Sequence, residues 1–250
     1  MSFQKISKPA IFQCIILCFA LVAASCEKDD AGNKTKTPEE LYQLSIMDAI
    51  TADSTEVIDT LWAISKTNPG VEFRTFGETE YVLVACFHNY PQGYLTDTIY
   101  SRSGRYTFVF IPKQFHQYFR ANPIVDGDRE MRAHQLLGLP PNDVKTHFVE
   151  LWVRPEDLLR PSGDYEIDDR TAQPYLQGAA STDAYYSNWY AGNAYWSYFS
   201  GNTLYPWTRL GYTYDWVGSS SEVGVSEYLI KPSSMMLLKE QYPVLDYLNL

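Results

Sequence analysis

Glu80-Tyr-Val-Leu-Val-Ala-Cys-Phe-His88 is a short apolar run, rich in valine and bounded by polar residues, and it reads as a buried strand. Thr146-His-Phe-Val-Glu-Leu-Trp-Val153 reads as a second, with Val149, Leu151 and Val153 on one side.

Working outward, Tyr94 to Tyr100 and Arg105 to Ile111 are expected to form a hairpin around Ser103-Gly104. Pro112 opens a helical turn with Phe115, Tyr118 and Phe119 inward. Arg129 to Leu137 reads as a short helix with Gly138 placed to cap it. Toward the N-terminus, Pro38 with Glu39 and Glu40 suits a helix start. Leu41, Leu44 and Met47, then Val57, Ile58, Leu61, Trp62 and Ile64, suggest one broken helix or two short ones over 39–66, stopped by Asn68-Pro69-Gly70. Ser181 to Phe199 reads as helix with Tyr185, Trp189 and Trp196 along one stripe. Thr208 to Trp216 and Gly224 to Ile230 read as two further strands. Helices and strands do not alternate regularly. The expected fold is therefore α+β, a single domain over 39–250 with a mostly antiparallel sheet of hairpins and several short helices.

The first 25 residues have the parts of a secretory leader: Lys5 and Lys8, an apolar run from Ile11 to Val22 interrupted by Gln13, and small residues Ala23, Ala24 and Ser25 before Cys26. A run of about a dozen residues is short of the ~20 that a spanning helix needs. Leu21 to Ser25 resembles a bacterial lipobox, which implies cleavage before Cys26 and lipid on that cysteine. Glu27, Lys28, Asp29 and Asp30 resemble the acidic export signal of Bacteroidota lipoproteins, which implies an outer-membrane anchor and display at the cell surface. Residues 26–38 then read as an acidic, flexible tether.

The whole chain carries a formal charge of −10. Loss of Lys5 and Lys8 with the leader takes two more positive charges, to −12. This excludes nucleic acid as an expected partner, because such binding rests on cationic contacts to phosphate. Cys14 and Cys18 would leave with the leader and Cys26 would carry lipid. Cys86 is then the last cysteine, expected as a small buried hydrophobe, so stability must come from the core.

Tyr205-Pro-Trp-Thr-Arg-Leu-Gly-Tyr-Thr-Tyr-Asp-Trp216 sorts by period two. Leu210, Tyr212, Tyr214 and Trp216 take one face, and Arg209, Gly211, Thr213 and Asp215 the other. Antiparallel pairing with 224–230 would set Tyr212 opposite Glu227, placing a carboxylate among Tyr212, Tyr214, Val225 and Leu229. Such a group is either partnered or raised in pKa. Glu227, Asp215 and Arg209 are thus candidate catalytic residues. Asp164, Glu166 and Asp168 alternate like the start of a calcium loop, but Asp169 and Tyr175 stand where an EF-hand needs glycine and glutamate. Calcium there competes with a plain acidic loop held by Arg154, Arg160 or Arg170. None of His88, His116, His134 and His147 has zinc-motif spacing, and no serine elbow or phosphate loop is present. His134 is the best single histidine candidate. The chain holds 20 tyrosines and 6 tryptophans, eight aromatic residues falling within 185–199. Tyr212, Tyr214, Trp216, Trp189 and Trp196 are candidate ligand-binding aromatics, competing with a plain role in the core.

Glu130-Met-Arg-Ala-His-Gln-Leu-Leu-Gly-Leu-Pro-Pro141, Phe148-Val-Glu-Leu-Trp-Val-Arg-Pro-Glu-Asp-Leu-Leu-Arg-Pro161, the Pro206–Trp216 block and Val223-Gly-Val-Ser-Glu-Tyr-Leu-Ile230 resemble, in that order, a family of uncharacterised secreted bacterial proteins. The resemblance covers roughly residues 80–232 and implies one domain. It also implies a cysteine pair after Arg160-Pro161, at positions held here by Ser162 and Ala172. It implies no activity.

Two functions fit these residues. One is a surface binding module for a glycan or protein. The other is an extracytoplasmic, glycan-active hydrolase using two carboxylates from Asp164, Glu166, Asp168, Asp215 and Glu227, which would have to stand ~5 to 9 Å apart.

Overall fold

The computed structural model describes residues 35–89, 99–101, 104–121, 128–218 and 221–250. The leader, Cys26 and most of the tether lie outside them, as does most of the 94–100 strand. Residues Thr37–Leu250 form one compact unit.

Thr37 opens helix α1 (Pro38–Thr51) with a reciprocal capping box: its hydroxyl accepts from the Glu40 amide, and the Glu40 carboxylate accepts from the Thr37 amide. The buried stripe is Tyr42, Ile46 and Ala49, while Leu44 and Met47 face solvent. Past a single 3₁₀ turn (Ser54–Glu56) the helical reading of 57–66 fails. Leu61 and Ile64 donate their amides across space to Arg170 and Ile167 carbonyls, and Trp62 to the Ser226 hydroxyl. Those bonds replace the helical i→i−4 ladder, which β-branched Val57, Ile58 and Thr60 favour weakly in any case.

Strands β1 (Phe73–Phe76) and β2 (Thr79–His88) form a hairpin. Then come β3 (Ile99–Ser101), β4 (Thr107–Phe110), helix α2 (Pro112–Ala121), helix α3 (Arg129–Leu136), β5 (His147–Val153) and β6 (Leu158–Leu159). Helices α4 (Gly178–Thr182) and α5 (Ala184–Tyr195) follow, with a π turn at Trp196–Ser200. β7 (Tyr212–Tyr214), β8 (Val223–Ile230), β9 (Met235–Pro243) and helix α6 (Val244–Leu248) complete the order. The strands run β3-β9-β5-β2-β4-β8-β6, with β1 added on β2 and β7 on β8. Every described pairing is antiparallel. The fold is thus a single α+β domain with a mostly antiparallel sheet and several short helices.

Of the expected hairpin between 94–100 and 105–111, the described residues 99–101 do not pair with β4. β3 pairs with β9 at one edge, and three strands lie between it and β4. β9 gives little alternation of burial to read, because its side chains are mostly half-exposed and its register slips opposite Glu150 and Leu151. The 181–199 helix is split at Asp183, whose carboxylate caps α5 through the amides of Tyr185 and Tyr186. Its buried stripe is Tyr186 and Tyr190; Tyr185 and Trp196 are exposed.

Alternation then divides the sheet into two faces. Val82, Val84, Val149, Leu151, Tyr228 and Ile230 lie on one, covered by Ile64 and Val71 of the irregular segment. Cys86 is buried on this face. The other face carries Ala85, Phe110, Phe148 and Val225 under α2, α3 and α6. Further along it, Leu159 and Leu229 pack beneath Tyr186, Tyr190 and Trp207.

Candidate functional site

Where those two groups of helices meet on the second face, they leave a partly open cavity of about 340 Å3. Its floor is sheet: Phe87, Phe108, Phe110 and Glu227. β4 fixes this floor, since Phe110 is paired directly opposite Glu227 and Phe108 opposite Leu229. One wall is the end of α3, Leu137 to Leu139, where Gly138 takes φ 64° and turns the chain out of the helix. Another is α5 and its π turn, through Asn193 and Ser197. The roof is 205–208 and 212–214.

Glu227 lies within this largely aromatic surround. It keeps some exposed surface, and that residue lines the cavity. Among the described residues no hydrogen bond or ion pair holds its carboxyl. Burial alone pushes its pKa up to about 8. Lys145, the only cation among the described lining residues, sits 2.9 Å from Asp143. The polar side chains Thr208 and Thr213 donate to the carbonyls of Tyr212 and Leu136, so neither hydroxyl proton is offered to the cavity. Buried Trp207 has no partner for its indole nitrogen among the described residues.

The 208–216 strand is shorter than its period-two pattern. Arg209 and Gly211 take left-handed φ of 62° and 75°, so ladder pairing begins only at Tyr212. The register follows: Tyr212 stands opposite Ser226, not Glu227. The Glu227 amide instead donates to the Gly211 carbonyl at 2.9 Å. Tyr212 and Tyr214 still reach the cavity from the roof.

The other candidate residues lie elsewhere. Asp215 is buried in a bidentate pair with Arg132 and also accepts from the Tyr118 hydroxyl. Arg209 donates to the carbonyls of Ala49, Ile50 and Ala52, closing the C-terminus of α1 rather than meeting a buried acid or a cleft. Trp216 is core, edge-on to Tyr42 with its indole nitrogen donating to Leu139. Trp189 packs on Tyr106 and Trp207 behind the cavity, and Trp196 is exposed. His134 is buried against Phe87, its pKa lowered by burial.

The acidic loop turns its backbone inward on a cation of the protein's own. Arg160, fully buried, donates to the carbonyls of Glu166 and Asp169. Asp164 is occupied by the Gln173 amide at 2.6 Å. Among the described residues no group of three His, Cys, Asp or Glu side chains could hold a metal ion. A second cavity, about 420 Å3, is lined by Lys113, Arg120 and Lys239. These already bond to the Pro69 carbonyl, the His116 carbonyl and Glu150.

Sequence reasoning marked Glu227, Tyr212 and Tyr214 but missed Phe87, Phe108, Phe110, Asn193, Ser197 and Trp207. The β4–β8 pairing that brings Phe108 and Phe110 to Glu227 is long-range, and no local pattern announces it. No protein-family model, no curated protein and no solved structure matches the chain.

Proposed function

We propose that this chain is an exported lipoprotein, anchored through Cys26 at the outer membrane and displayed at the cell surface, whose domain binds a ligand in the Glu227 cavity. The observation that carries the binding reading is the carboxyl of Glu227, left without a partner inside an aromatic cavity. A half-buried acid without a partner in largely apolar surroundings is costly to ionise, and such groups concentrate at functional sites. Binding is favoured over hydrolysis by a carboxylate pair, because Glu227 is the only acid among the described lining residues and Asp215 is committed to Arg132.

Asn193 is half-buried on α5 and lines the cavity, so Asn193→Trp should fill it without touching the core. Glycan and peptide arrays probed with wild type and this variant test the reading. Ligands captured by wild type and lost by Asn193→Trp are expected. A ligand held equally by both would move the site elsewhere. The anchor rests on Cys26 and the small residues before it. A fatty-acid label should tag wild type in cells and not Cys26→Ser; equal labelling would remove the lipoprotein reading.

A further inference from the structure

We propose that the Glu227 cavity takes a small organic cation: an ammonium group that pairs with the Glu227 carboxylate, carried on an apolar or aromatic body that fills the rest. The proposal rests on the binding reading above and names the chemistry of its ligand.

Three observations select this class. The first is the unpartnered carboxyl. The Glu227 carboxyl has no hydrogen bond or ion pair among the described residues, and the one lining cation, Lys145, is engaged by Asp143. A ligand that supplies a positive donor would complete a charge-assisted bond against a largely apolar wall, where such bonds are stronger than in bulk water. An anionic ligand would hold the carboxyl in its neutral form and gain only a single bond from it, with no opposite charge to pair. The second is the wall. Aromatic faces of the kind supplied by Phe87, Phe108, Tyr205 and Trp207 attract cations through their quadrupoles and also accept an apolar body. The third is the scarcity of other polar groups. Thr208 and Thr213 spend their hydroxyl protons on backbone carbonyls, and the Tyr212 and Tyr214 hydroxyls donate to the Glu56 carbonyl and Asp48, which leaves Glu227, Asn193, Ser197, Tyr205 and the Trp207 indole nitrogen for a ligand. A sugar ring, with hydroxyls on every side, would lose more hydrogen bonds to water than this wall returns. One charged head on an apolar body loses few. The chain's net charge of −10 also draws cations toward its surface.

A proton is displaced on binding. With its pKa raised to about 8 by burial, Glu227 is largely protonated at neutral pH and must ionise to pair with an ammonium. The other titratable lining groups are Lys145, Tyr205, Tyr212 and Tyr214, with Tyr198 and Arg209 behind the wall. Burial raises all four of these tyrosines, so none of them titrates between pH 6 and 8.

Calorimetry with three compounds of one shape tests the proposal: tyramine, 4-ethylphenol, which lacks the amine, and 4-hydroxyphenylacetate, which carries an acid instead. At pH 7.5 tyramine should bind at least ten-fold more tightly than 4-ethylphenol, with the acid weakest. Glu227→Gln should erase that preference. Titration at pH 6.5 in two buffers of different ionisation enthalpy should show close to one proton released per tyramine bound. A preference that survives Glu227→Gln, or tyramine binding no better than 4-ethylphenol, overturns the cation class. If 4-ethylphenol or the acid then binds and is lost in Asn193→Trp, the cavity remains a binding site for another chemistry. If no compound binds at millimolar concentration, the cation class falls, and the arrays alone decide the broader reading.

Discussion

Asp215 holds both terminal nitrogens of Arg132, at 2.8 and 2.5 Å, with the side chains almost wholly out of solvent. The pair ties α3 to the chain that leaves β7, and the Tyr118 hydroxyl of α2 bonds to both members. A candidate catalytic acid is thus a brace between three elements. Removing one partner strands a buried charge, so Arg132→Met should lower unfolding stability by about 3 to 5 kcal/mol. Arg132→Met/Asp215→Leu removes both charges and should recover a large part of that loss. Urea midpoints of the single and double variants check it. A double variant no more stable than Arg132→Met would show that the brace works by geometry instead of charge.

Arg209 is a second candidate turned to structure. One guanidinium nitrogen reaches three carbonyls at the end of α1, at 3.1 to 3.2 Å, where the helix dipole favours a cation. Arg209→Ala should cost about 1.5 to 3 kcal/mol, the range for bonds to charged groups. Arg209→Lys should retain part of it, since the ammonium keeps the charge and the donors for the helix end but sits on a shorter side chain without the planar fork. Tyramine binding should be unchanged in Arg209→Lys. A melting point for Arg209→Ala equal to wild type would remove the capping role.

The two left-handed residues before β7 explain where reading the sequence succeeded and failed. The strands holding Val82, Val84, Val149 and Leu151 were legible because an interior strand covered on both faces is buried along its length whatever it pairs with. α3 was legible from its composition and from Gly138. The register of Tyr212 was not. Period two assumes extended backbone from Arg209 onward, and Arg209 and Gly211 both break it. Glu227 was recognisable as an acid on an apolar face. Its true neighbours, Phe108 and Phe110, come from a strand over a hundred residues earlier, and β8 could pair with any of several strands on pattern alone. The acidic loop also has its partner within the chain. Its carbonyls serve a cation, but that cation is Arg160, six residues before Glu166.

Gly211 tests the backbone side of the same argument. With φ at 75°, it would place a Cβ 2.6 Å from Cδ of buried Arg160 and 3.1 Å from Ala172. Gly77, at φ 62°, has nothing within 4 Å of that position. Gly77→Ala should therefore cost only left-handed strain, about 1 to 2 kcal/mol. Gly211→Ala adds overpacking against a side chain pinned at both ends, typically another 1 to 3 kcal/mol. Chemical denaturation of the two variants should separate them by at least 1 kcal/mol. Equal losses would mean that Arg160 yields without cost.

The pH dependence of stability gives Glu227 a signature of its own. Unfolded, its carboxyl titrates near the ordinary 4.5; folded, burial raises that to about 8. Between those values the native state holds a proton that the unfolded state has released, so stability falls as pH rises from about 4.5 to 8. Buried His116 acts in the opposite direction. Burial lowers it to about 4, so its contribution is present above pH 6.5 and is lost as pH falls toward 4. Other raised carboxyls, Glu56 and Asp164, make the wild-type curve a composite, and only a difference between variants isolates one group. Glu227→Gln keeps the shape and removes the titration. It should match wild type near pH 4.5 and exceed it progressively above, by order 1 kcal/mol per pH unit, until about pH 8. Urea unfolding at four pH values measures this. A constant offset across the range would show a carboxyl ionised normally in the fold, with water or an unseen donor supporting it. The expected divergence would mean that the native protein holds, at neutral pH, an acid that weakens its fold. A saturating amine should then narrow the gap between wild type and Glu227→Gln, because it stabilises only the chain that can pair with it.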